Sequence, residues 1–455
     1  MIVRFSIENW MSFRDKAEFS MIATRERQHN ERVPRIKKYR TGILPITALY
    51  GGNASGKSNL FEALRFAQEL IVDGKRPGER IPVKPFRLDE KSGKLPTAFC
   101  FELLVDEVVY EYSFALTPNE IVEEKLVEIT GSSEKTLFHR LDGKSNLHDS
   151  LKKKSDLEVY FKGTRENELF LTNTVFQKVE AFLPVWSWFR INLVLIAPDS
   201  QYARFERLGD EQDPLASSVN EVLSRLDIGL HRLEAVEIPL ETVPILETEK
   251  EKVLEKIKEK GTVPVRIKVS RNERYLLTNE NGEIHARKLV AWHTGEEGHE
   301  KRFDLRDESD GSIRMIDLVP ALPALCAENS RKVFVVDEID RSLHTLLTRS
   351  LLEMYLESCS PESRSQLLFT THDALLMDQD LLRRDEMWVA ERDSSGASRI
   401  FSFSEYKDVR YDKDIMKSYL QGRLGGVPRI LLCGGGRKSD KSSPGSPIRG
   451  ENEER

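Results

Sequence analysis

Gly51-Gly52-Asn53-Ala54-Ser55-Gly56-Lys57-Ser58 is the stretch of sequence that decides the fold. It fits the pattern G-x-x-x-x-G-K-[ST], whose glycines let the backbone turn and present its N–H groups to phosphate. A short apolar run, Ile46 to Tyr50, precedes this motif, and apolar residues at helical spacing follow it over positions 60–70. The order strand, glycine loop, helix predicts a nucleotide-binding α/β fold.

Residue types within this motif have separate predicted roles. The Lys57 amine reaches the β- and γ-phosphates, and the Ser58 hydroxyl binds Mg²⁺. The N-terminus of the following helix adds the positive end of its dipole. We therefore predict ATP and Mg²⁺ as cofactors. The residues predicted to bind the nucleotide at this loop are Gly51, Asn53, Ala54, Ser55, Gly56, Lys57, Ser58 and Asn59.

A second apolar run, Val333 to Val336, ends in two carboxylates, Asp337 and Glu338. A buried strand presents its carboxyl end at the sheet edge where ligands bind. We expect Asp337 to hold Mg²⁺ and Glu338 to polarise the attacking water. This pair therefore predicts an ATPase, which releases ADP and phosphate, and not only a nucleotide-binding protein.

Roughly 280 residues separate the two motifs, a spacing typical of the ABC-type heads of the SMC/RecF group. The run GKSNLFEAL at 56–64 strongly resembles that group. Thr370-Thr371-His372-Asp373 resembles its H-loop, in which His372 would sense the γ-phosphate. Asp340 resembles the D-loop, which signals across a dimer. Glu308 to Ser312 takes the place of the ABC signature, where Ser309 and Gly311 match; the sequence assigns no Q-loop.

The whole pattern resembles RloA-like ATPases of the ABC group, found in bacterial anti-phage systems such as two-gene modules of the PARIS type. The segments that carry this resemblance are ENWMSF, LYGGNASGKSNLFEAL, PVKPFRLDE, ESDGS, VFVVDEID, TTHD and a closing motif at Tyr419 to Pro428. The resemblance implies a head that forms ATP-sandwich homodimers or higher oligomers. It also implies a separate effector, such as a Toprim-type nuclease, and a phage protein as the trigger.

Charge and cysteine content exclude several other classes of protein. Sixty-nine Lys and Arg against 75 Asp and Glu give a net charge of −6, which excludes a globally basic nucleic-acid coat. The 4 cysteines are scattered without CxxC spacing, so neither a disulfide framework nor a thiolate zinc site is expected. The first residues lack a signal-peptide pattern, and the near-apolar stretch Leu318 to Ala327 is short for a membrane span. We expect a cytoplasmic protein with no membrane partner.

Composition and periodicity also predict how the chain is organised. The fold class is α/β, a P-loop NTPase of the ABC ATPase head type, split by a mainly helical insertion and carrying an antiparallel side sheet. Two strands, Thr97 to Leu103 and Val108 to Leu116, predict a hairpin of that side sheet. The predicted boundaries are 1–145 for the first half of the head, 146–265 for the insertion, 266–432 for the second half and 433–455 for a disordered tail.

Two further functions remain open at this stage. A basic segment, Arg25 to Arg40, makes direct DNA binding by a repair or recombination ATPase of the RecF type the main alternative. A third hypothesis is a non-enzymatic interaction module in which the nucleotide has only a structural role. The presence of Glu338 and His372 argues against it.

Overall fold

A computed structural model describes the part of the chain that carries these motifs. The described residues are 1–131, 133–141, 144–152, 156–200, 202, 205–208, 213–226, 228–244, 255, 257, 265–268, 273–280, 282–295, 298–406, 415–421 and 426. Residues 247–260, within the predicted insertion, lie outside them except for two residues. Most of the closing motif and the whole predicted tail also lie outside the described residues.

The strands and helices of the described residues follow in chain order. The strands are β1 (Ile2–Glu8), β2 (Ala17–Ser20), β3 (Arg35–Ile36), β4 (Thr41–Gly42), β5 (Ile46–Tyr50), β6 (Thr97–Val105), β7 (Val108–Leu116), β8 (Ile121–Ile129), β9 (Glu134–Leu141), β10 (Lys144–Leu147), β11 (Leu193–Ile196), β12 (Leu230–Ile238), β13 (Val265–Lys268), β14 (Arg274–Glu280), β15 (Glu283–Thr294), β16 (Glu300–Asp304), β17 (Val333–Val336), β18 (Gln366–Thr370), β19 (Met387–Arg392) and β20 (Ser398–Ser402). The helices are α1 (Lys57–Asp73), α2 (Asp149–Lys152), α3 (Asp156–Gly163), α4 (Phe170–Phe176), α5 (Leu183–Ser187), α6 (Phe205–Leu208), α7 (Pro214–Arg225), α8 (Asp310–Leu318), α9 (Leu322–Cys326), α10 (Thr345–Glu357) and α11 (Ile415–Leu420).

The chain divides into two compact units that do not follow its linear order. The first contains Met1–Leu195, Glu328–Ile339 and Leu356–Arg455, and the second contains Ile196–Ala327 and Asp340–Tyr355. The predicted boundaries differ from these units. Residues 146–195 belong to the first unit, whereas the strands between 265 and 305 belong to the second.

A six-stranded sheet in the first unit has the order β11-β17-β18-β5-β19-β20. Within the series β17, β18, β5 and β19, adjacent strands run parallel to one another, and β20 is antiparallel to β19. Every residue of β5, β17 and β18 is buried, as expected for parallel strands covered on both faces. The carboxyl ends of these three strands therefore meet at one edge, which confirms the predicted α/β class.

An antiparallel sheet of the first unit confirms the predicted side sheet. Its order is β10-β9-β8-β7-β6-β1-β2. Strands β6 and β7 pair along their whole length, and their two-residue turn, Asp106-Glu107, has φ of 48° and 62°. Both turn residues are left-handed, which suits a tight hairpin with the right-handed twist of its strands. Phe99 of β6 stacks on Phe66 of α1 with ring centroids 5.5 Å apart, so the sheet supports the helix of the phosphate loop.

Glu124 of β8 is one of the side chains that tie the helices after residue 146 to the first unit. Its buried carboxylate accepts hydrogen bonds from the backbone N–H groups of Phe170, at 2.6 Å, and Leu171, at 3.0 Å. The Tyr112 hydroxyl donates a further bond at 2.9 Å. Burial raises the pKa of Glu124, and the N–H donors and Arg140 oppose that shift. A side chain of the sheet thus satisfies the free N–H groups at the start of α4.

The second unit is built on a smaller antiparallel sheet, with the order β12-β15-β14-β13 and with β16 paired to β15. Helices α7 and α8 pack on it through apolar residues that include Val219, Leu223, Ile313 and Ile316. Strand β12 lies within residues 146–265, which the sequence predicts to be mainly helical, and the structure corrects that expectation here. Its leucines are three residues apart, a spacing typical of a helix, but long-range pairing with β15 decides the strand.

Among the described residues, the structure contains no helix with the length and apolar character needed to span a bilayer.

Candidate functional site

The glycine loop after β5 is shaped by close approaches that exclude side chains. Gly51 has φ of 147°, and a Cβ there would collide with the carbonyl oxygen of Ala390. Gly56 has φ of 111°, and a Cβ there would lie 2.5 Å from Oγ of Ser398 and 2.9 Å from Oγ of Ser12. Only glycine fits both positions, because they combine a left-handed backbone with neighbouring atoms at contact.

Lys57 begins α1 and folds its buried side chain back over this loop. Its Nζ donates to the carbonyl oxygens of Gly51, at 2.7 Å, and Gly52, at 3.2 Å. The same nitrogen lies 3.3 Å from Nδ1 of His372. The amine is therefore held at the turn of the loop, beside a histidine that the sequence places more than 300 residues away.

Asp337, Thr370 and Ser58 meet at the edge where the parallel strands end. Asp337 Oδ1 accepts a hydrogen bond from the Thr370 hydroxyl at 2.6 Å and one from the Ser58 hydroxyl at 3.3 Å. Hydroxyl and carboxylate oxygens are the donors that Mg²⁺ prefers, and Mg²⁺ is usually held by one or two protein ligands together with substrate phosphates. The Ser58 and Asp337 oxygens therefore fit a magnesium ion.

Glu338 follows in a left-handed conformation, with φ of 50°. Its backbone N–H donates to Oγ1 of Thr370 at 2.8 Å, and its Oε1 lies 3.6 Å from Nε2 of His372. Thr370 thus orients both carboxylate residues at once. Thr370 belongs to the TTHD segment, but the sequence analysis gives it no role. The available signal was a hydroxyl group at the end of β18, which lies next to the strand that ends in Asp337 and Glu338.

A cavity of about 850 Å³ opens over the loop. This volume lies within the usual range for small-molecule sites. The predicted site residues that line the cavity are Asn53, Ala54, Ser55, Gly56, Lys57, Ser58, Asn59, Glu338 and His372. Sequence reasoning missed the other lining residues, which are Met11, Ser12, Lys84, Pro85, Phe86, Arg87, Leu88 and Arg392.

Asn9 explains how distant segments come to line this cavity. Its side-chain Nδ2 donates to the carbonyl oxygens of Ser92, at 2.8 Å, and Leu95, at 2.9 Å, while its Oδ1 accepts from the N–H of Phe86 at 3.0 Å. Two residues later, the N–H of Met11 donates to the carbonyl oxygen of Lys84 at 2.7 Å. The ENWMSF and PVKPFRLDE segments therefore form one wall, which their shared appearance in the resemblance could have indicated.

Ser309, Gly311 and Asp340 belong to the second unit. Ser309 is the N-cap of α8, because its hydroxyl accepts a hydrogen bond from the N–H of Ser312 at 3.1 Å. A Cβ on Gly311 would lie 2.9 Å from the carbonyl oxygen of Ser342, so the turn that starts at Asp340 approaches α8 closely. The predicted signature and D-loop residues are thus neighbours within this unit.

One family of known protein domains matches most of this chain. The family model described as "AAA domain, putative AbiEii toxin, Type IV TA system" matches residues 46–378. Comparison with curated proteins gives no match.

Solved structures similar to this chain include an SMC head bound to the C-terminal winged-helix domain of ScpA. The two chains share 13% identity over 88% of this chain and 97% of that one, with a TM-score of 0.38. The SMC head domain from Thermotoga maritima shows 14% identity over 88% of this chain and 98% of that one, with a TM-score of 0.35.

Proposed function

This chain belongs to the family of AAA domains described as putative AbiEii toxins of Type IV toxin–antitoxin systems, and on that premise we propose that it is an ATP-hydrolysing switch. The observation that carries the proposal is the meeting of Ser58, Asp337, Glu338 and His372 at one sheet edge beside the glycine loop. Lone motif matches arise by chance, whereas side chains from three separate strand ends gathered around one cavity match the needs of phosphoryl transfer.

The proposed mechanism assigns each step to residues of this chain. The loop N–H groups and Lys57 bind the phosphates of ATP, and Ser58 and Asp337 hold the metal. Bound Mg²⁺ neutralises charge on the phosphate oxygens. Glu338 orients the attacking water and accepts its proton, and His372 contacts the γ-phosphate. The Thr370 hydroxyl donates to the Asp337 carboxylate and accepts from the backbone N–H of Glu338, which holds the end of the strand in place.

We also propose that two heads close on ATP, with Ser309 and Gly311 of one protomer facing the γ-phosphate held by the other. The supporting observation is the capped N-terminus of α8, where backbone N–H groups and a positive dipole end favour an anion. ATP binds closed heads more tightly than open ones, so binding favours closure and hydrolysis releases it. Asp340 would carry this change across the dimer.

The proposed setting is the bacterial cytoplasm, in an anti-phage system. The toxin–antitoxin description of the family and the resemblance to RloA-like ATPases support this setting. In it, a phage protein would trigger the ATPase, and a separate effector such as a Toprim-type nuclease would act.

Mixing two inactive variants tests the shared site. Lys57→Ala removes the phosphate-binding amine, and Ser309→Asp places a negative charge at the γ-phosphate while keeping a good N-cap. Each variant alone should lose ATP hydrolysis. Because a twofold dimer has two equivalent sites, an equal mixture should recover about a quarter of the wild-type rate through one intact site per mixed dimer.

Ser309→Asn is the matched control, because it keeps the cap without the charge, and it should hydrolyse ATP faster than Ser309→Asp. Phosphate release measured before and after subunit exchange gives the rates. A mixture no more active than its components would show that Ser309 does not complete the site of a partner.

Direct DNA binding by a repair ATPase is the second candidate function. The observation in its favour is that Arg35, Lys37 and Lys38 are exposed. Arg32, in contrast, is buried against Glu386, with Nη2 2.6 Å from Oε2, and this basic residue is removed from the candidate DNA surface.

Charge reversal tests this second function. The triple variant Arg35→Glu, Lys37→Glu, Lys38→Glu should weaken DNA binding at least about tenfold and flatten the dependence of log Kd on log salt by about 2 to 3 units. The exposed lysines Lys91, Lys94 and Lys162, replaced together by glutamate, give a control with the same net charge. Equal DNA affinity for the two variants in an anisotropy titration would remove this function.

A further inference from the structure

One described residue of the closing motif contacts the glycine loop directly. The N–H of Gly52 donates a hydrogen bond to the carbonyl oxygen of Gly426 at 2.9 Å. The two residues are far apart in sequence, and neither the family match nor the proposed mechanism gives Gly426 a role.

This hydrogen bond fixes the peptide group between Gly51 and Gly52, which also accepts a hydrogen bond from Lys57. The N–H of Gly52 and the carbonyl of Gly51 belong to the same planar peptide group. Gly426 holds the N–H side of that peptide, while Lys57 Nζ donates to its carbonyl side at 2.7 Å. Rotation of the peptide would break both contacts together, so the position of Gly426 restrains the place from which Lys57 reaches a phosphate.

Gly426 is itself held tightly. Its φ is 71°, and a Cβ there would collide with Cγ1 of Val389 and lie 3.1 Å from Cε2 of Tyr419. The Tyr419 hydroxyl donates to the carbonyl oxygen of Gly426 at 3.2 Å. The Tyr419 ring is buried and packs edge-on against Phe403, with centroids 6.4 Å apart. Burial raises the pKa of Tyr419, whose hydroxyl is the donor in this hydrogen bond.

We propose that Tyr419 and Gly426, two described residues of the closing motif, are a positioning element of the nucleotide site: they hold the Gly51–Gly52 peptide and thereby preorganise Lys57 for phosphate. This inference rests on the proposed binding of ATP. The proposal gives Gly426 a physical role. Its left-handed backbone lets its carbonyl oxygen reach the glycine loop, and a larger residue at this position would collide with Val389 of β19.

Gly426→Ala in the full-length chain tests the inference. The added methyl group should displace the Gly426 carbonyl oxygen, and the loss of this hydrogen bond should weaken binding of a fluorescent ATP analogue about three- to tenfold. In steady-state kinetics, KM should rise by more than kcat falls. Gly78→Ala is the matched control, since Gly78 has φ of 74° but has open space around its Cβ position.

The melting temperature without nucleotide separates positioning from general damage. Gly426→Ala should melt below Gly78→Ala, because its added methyl group also collides with Val389, but both variants should be folded at the assay temperature and only Gly426→Ala should lose affinity. Equal affinity in the two variants would overturn the inference, whereas failure of the wild type and Gly78→Ala to bind ATP would overturn the proposed function itself.

Tyr419→Phe covers the case in which Gly426→Ala does not fold. It keeps the buried ring and removes only the hydroxyl, and it should weaken ATP-analogue binding about twofold or more. An unchanged Kd in Tyr419→Phe would contradict the role of Tyr419 and, with an unfolded Gly426→Ala, the inference as a whole.

Discussion

Replacing Glu338 with glutamine should abolish ATP hydrolysis while ATP still binds. The amide has nearly the shape of the carboxylate but cannot accept a proton from the attacking water. Positioned general bases contribute about 10²- to 10⁴-fold to rate, so we expect phosphate release to fall at least about 100-fold. The backbone bond from Glu338 to Thr370 is independent of the side chain and should keep the strand end in place.

ATP affinity should be equal to or tighter than that of the wild type in this variant. In the proposed mechanism Lys57 and the glycine loop bind the phosphates, and the substitution removes a negative charge from the cavity that they line. If heads close on ATP, the variant should accumulate as an ATP-dependent dimer, because hydrolysis no longer reopens it. Light scattering with and without ATP measures this directly.

Glu362→Gln is the matched control, since Glu362 is exposed in the first unit and does not line the cavity. It should hydrolyse ATP at the wild-type rate. Hydrolysis by Glu338→Gln within about threefold of that rate would contradict the assignment of Glu338 as the residue that activates water. Loss of ATP binding would instead show that the carboxylate supports the loop.

The parallel core was predictable from sequence because its strands are short apolar runs with clear ends. The bounds predicted for β5 and β17 agree with the structure. β5 stops at a glycine and β17 at an aspartate, and both residue types are depleted in strands. Local chemistry therefore identified the sheet edge where Lys57, Asp337 and His372 meet.

The unit boundaries depend on contacts that sequence patterns do not contain. Residues 146–195 join the first unit through long-range contacts, among them the hydrogen bonds from the first N–H groups of α4 to the Glu124 carboxylate. Strand β12 is a strand because β15 pairs with it. Each outcome depends on a partner far away in sequence, whereas periodicity reports only local preference.

The candidate site shows the same division between local and distant information. Residues of the loop and of the carboxylate strand follow from short motifs. Thr370, Arg392 and Gly426 enter the site through neighbouring strand ends and a long-range hydrogen bond. The segments that carry the resemblance contain Thr370 and Gly426, but a resemblance does not show which atoms these residues contact.

Arg274→Met should strongly destabilise the second unit. Arg274 begins β14 and donates to Oδ1 of Asp317 in α8 at 2.6 Å, with side-chain exposures of 2% and 0%. Removing the guanidinium leaves a carboxylate in the interior without its closest cation. Breaking a buried ion pair in this way costs about 3–5 kcal/mol, so we expect a loss of that size in the free energy of unfolding.

Hydrogen exchange locates this loss, because amides of β14, β15 and α8 should lose protection while those of β5 do not. Arg225→Met is the matched control in the same unit, because Arg225 pairs with Glu221 at an exposed surface and exposed pairs contribute little.

The double variant Arg274→Met, Asp317→Leu should recover most of the stability, since apolar residues can replace a buried ion pair without cost. Wild-type protection in Arg274→Met would show that the pair does not fix α8 on the sheet. A double variant as unstable as the single one would show that packing, and not the unpaired charge, causes the loss.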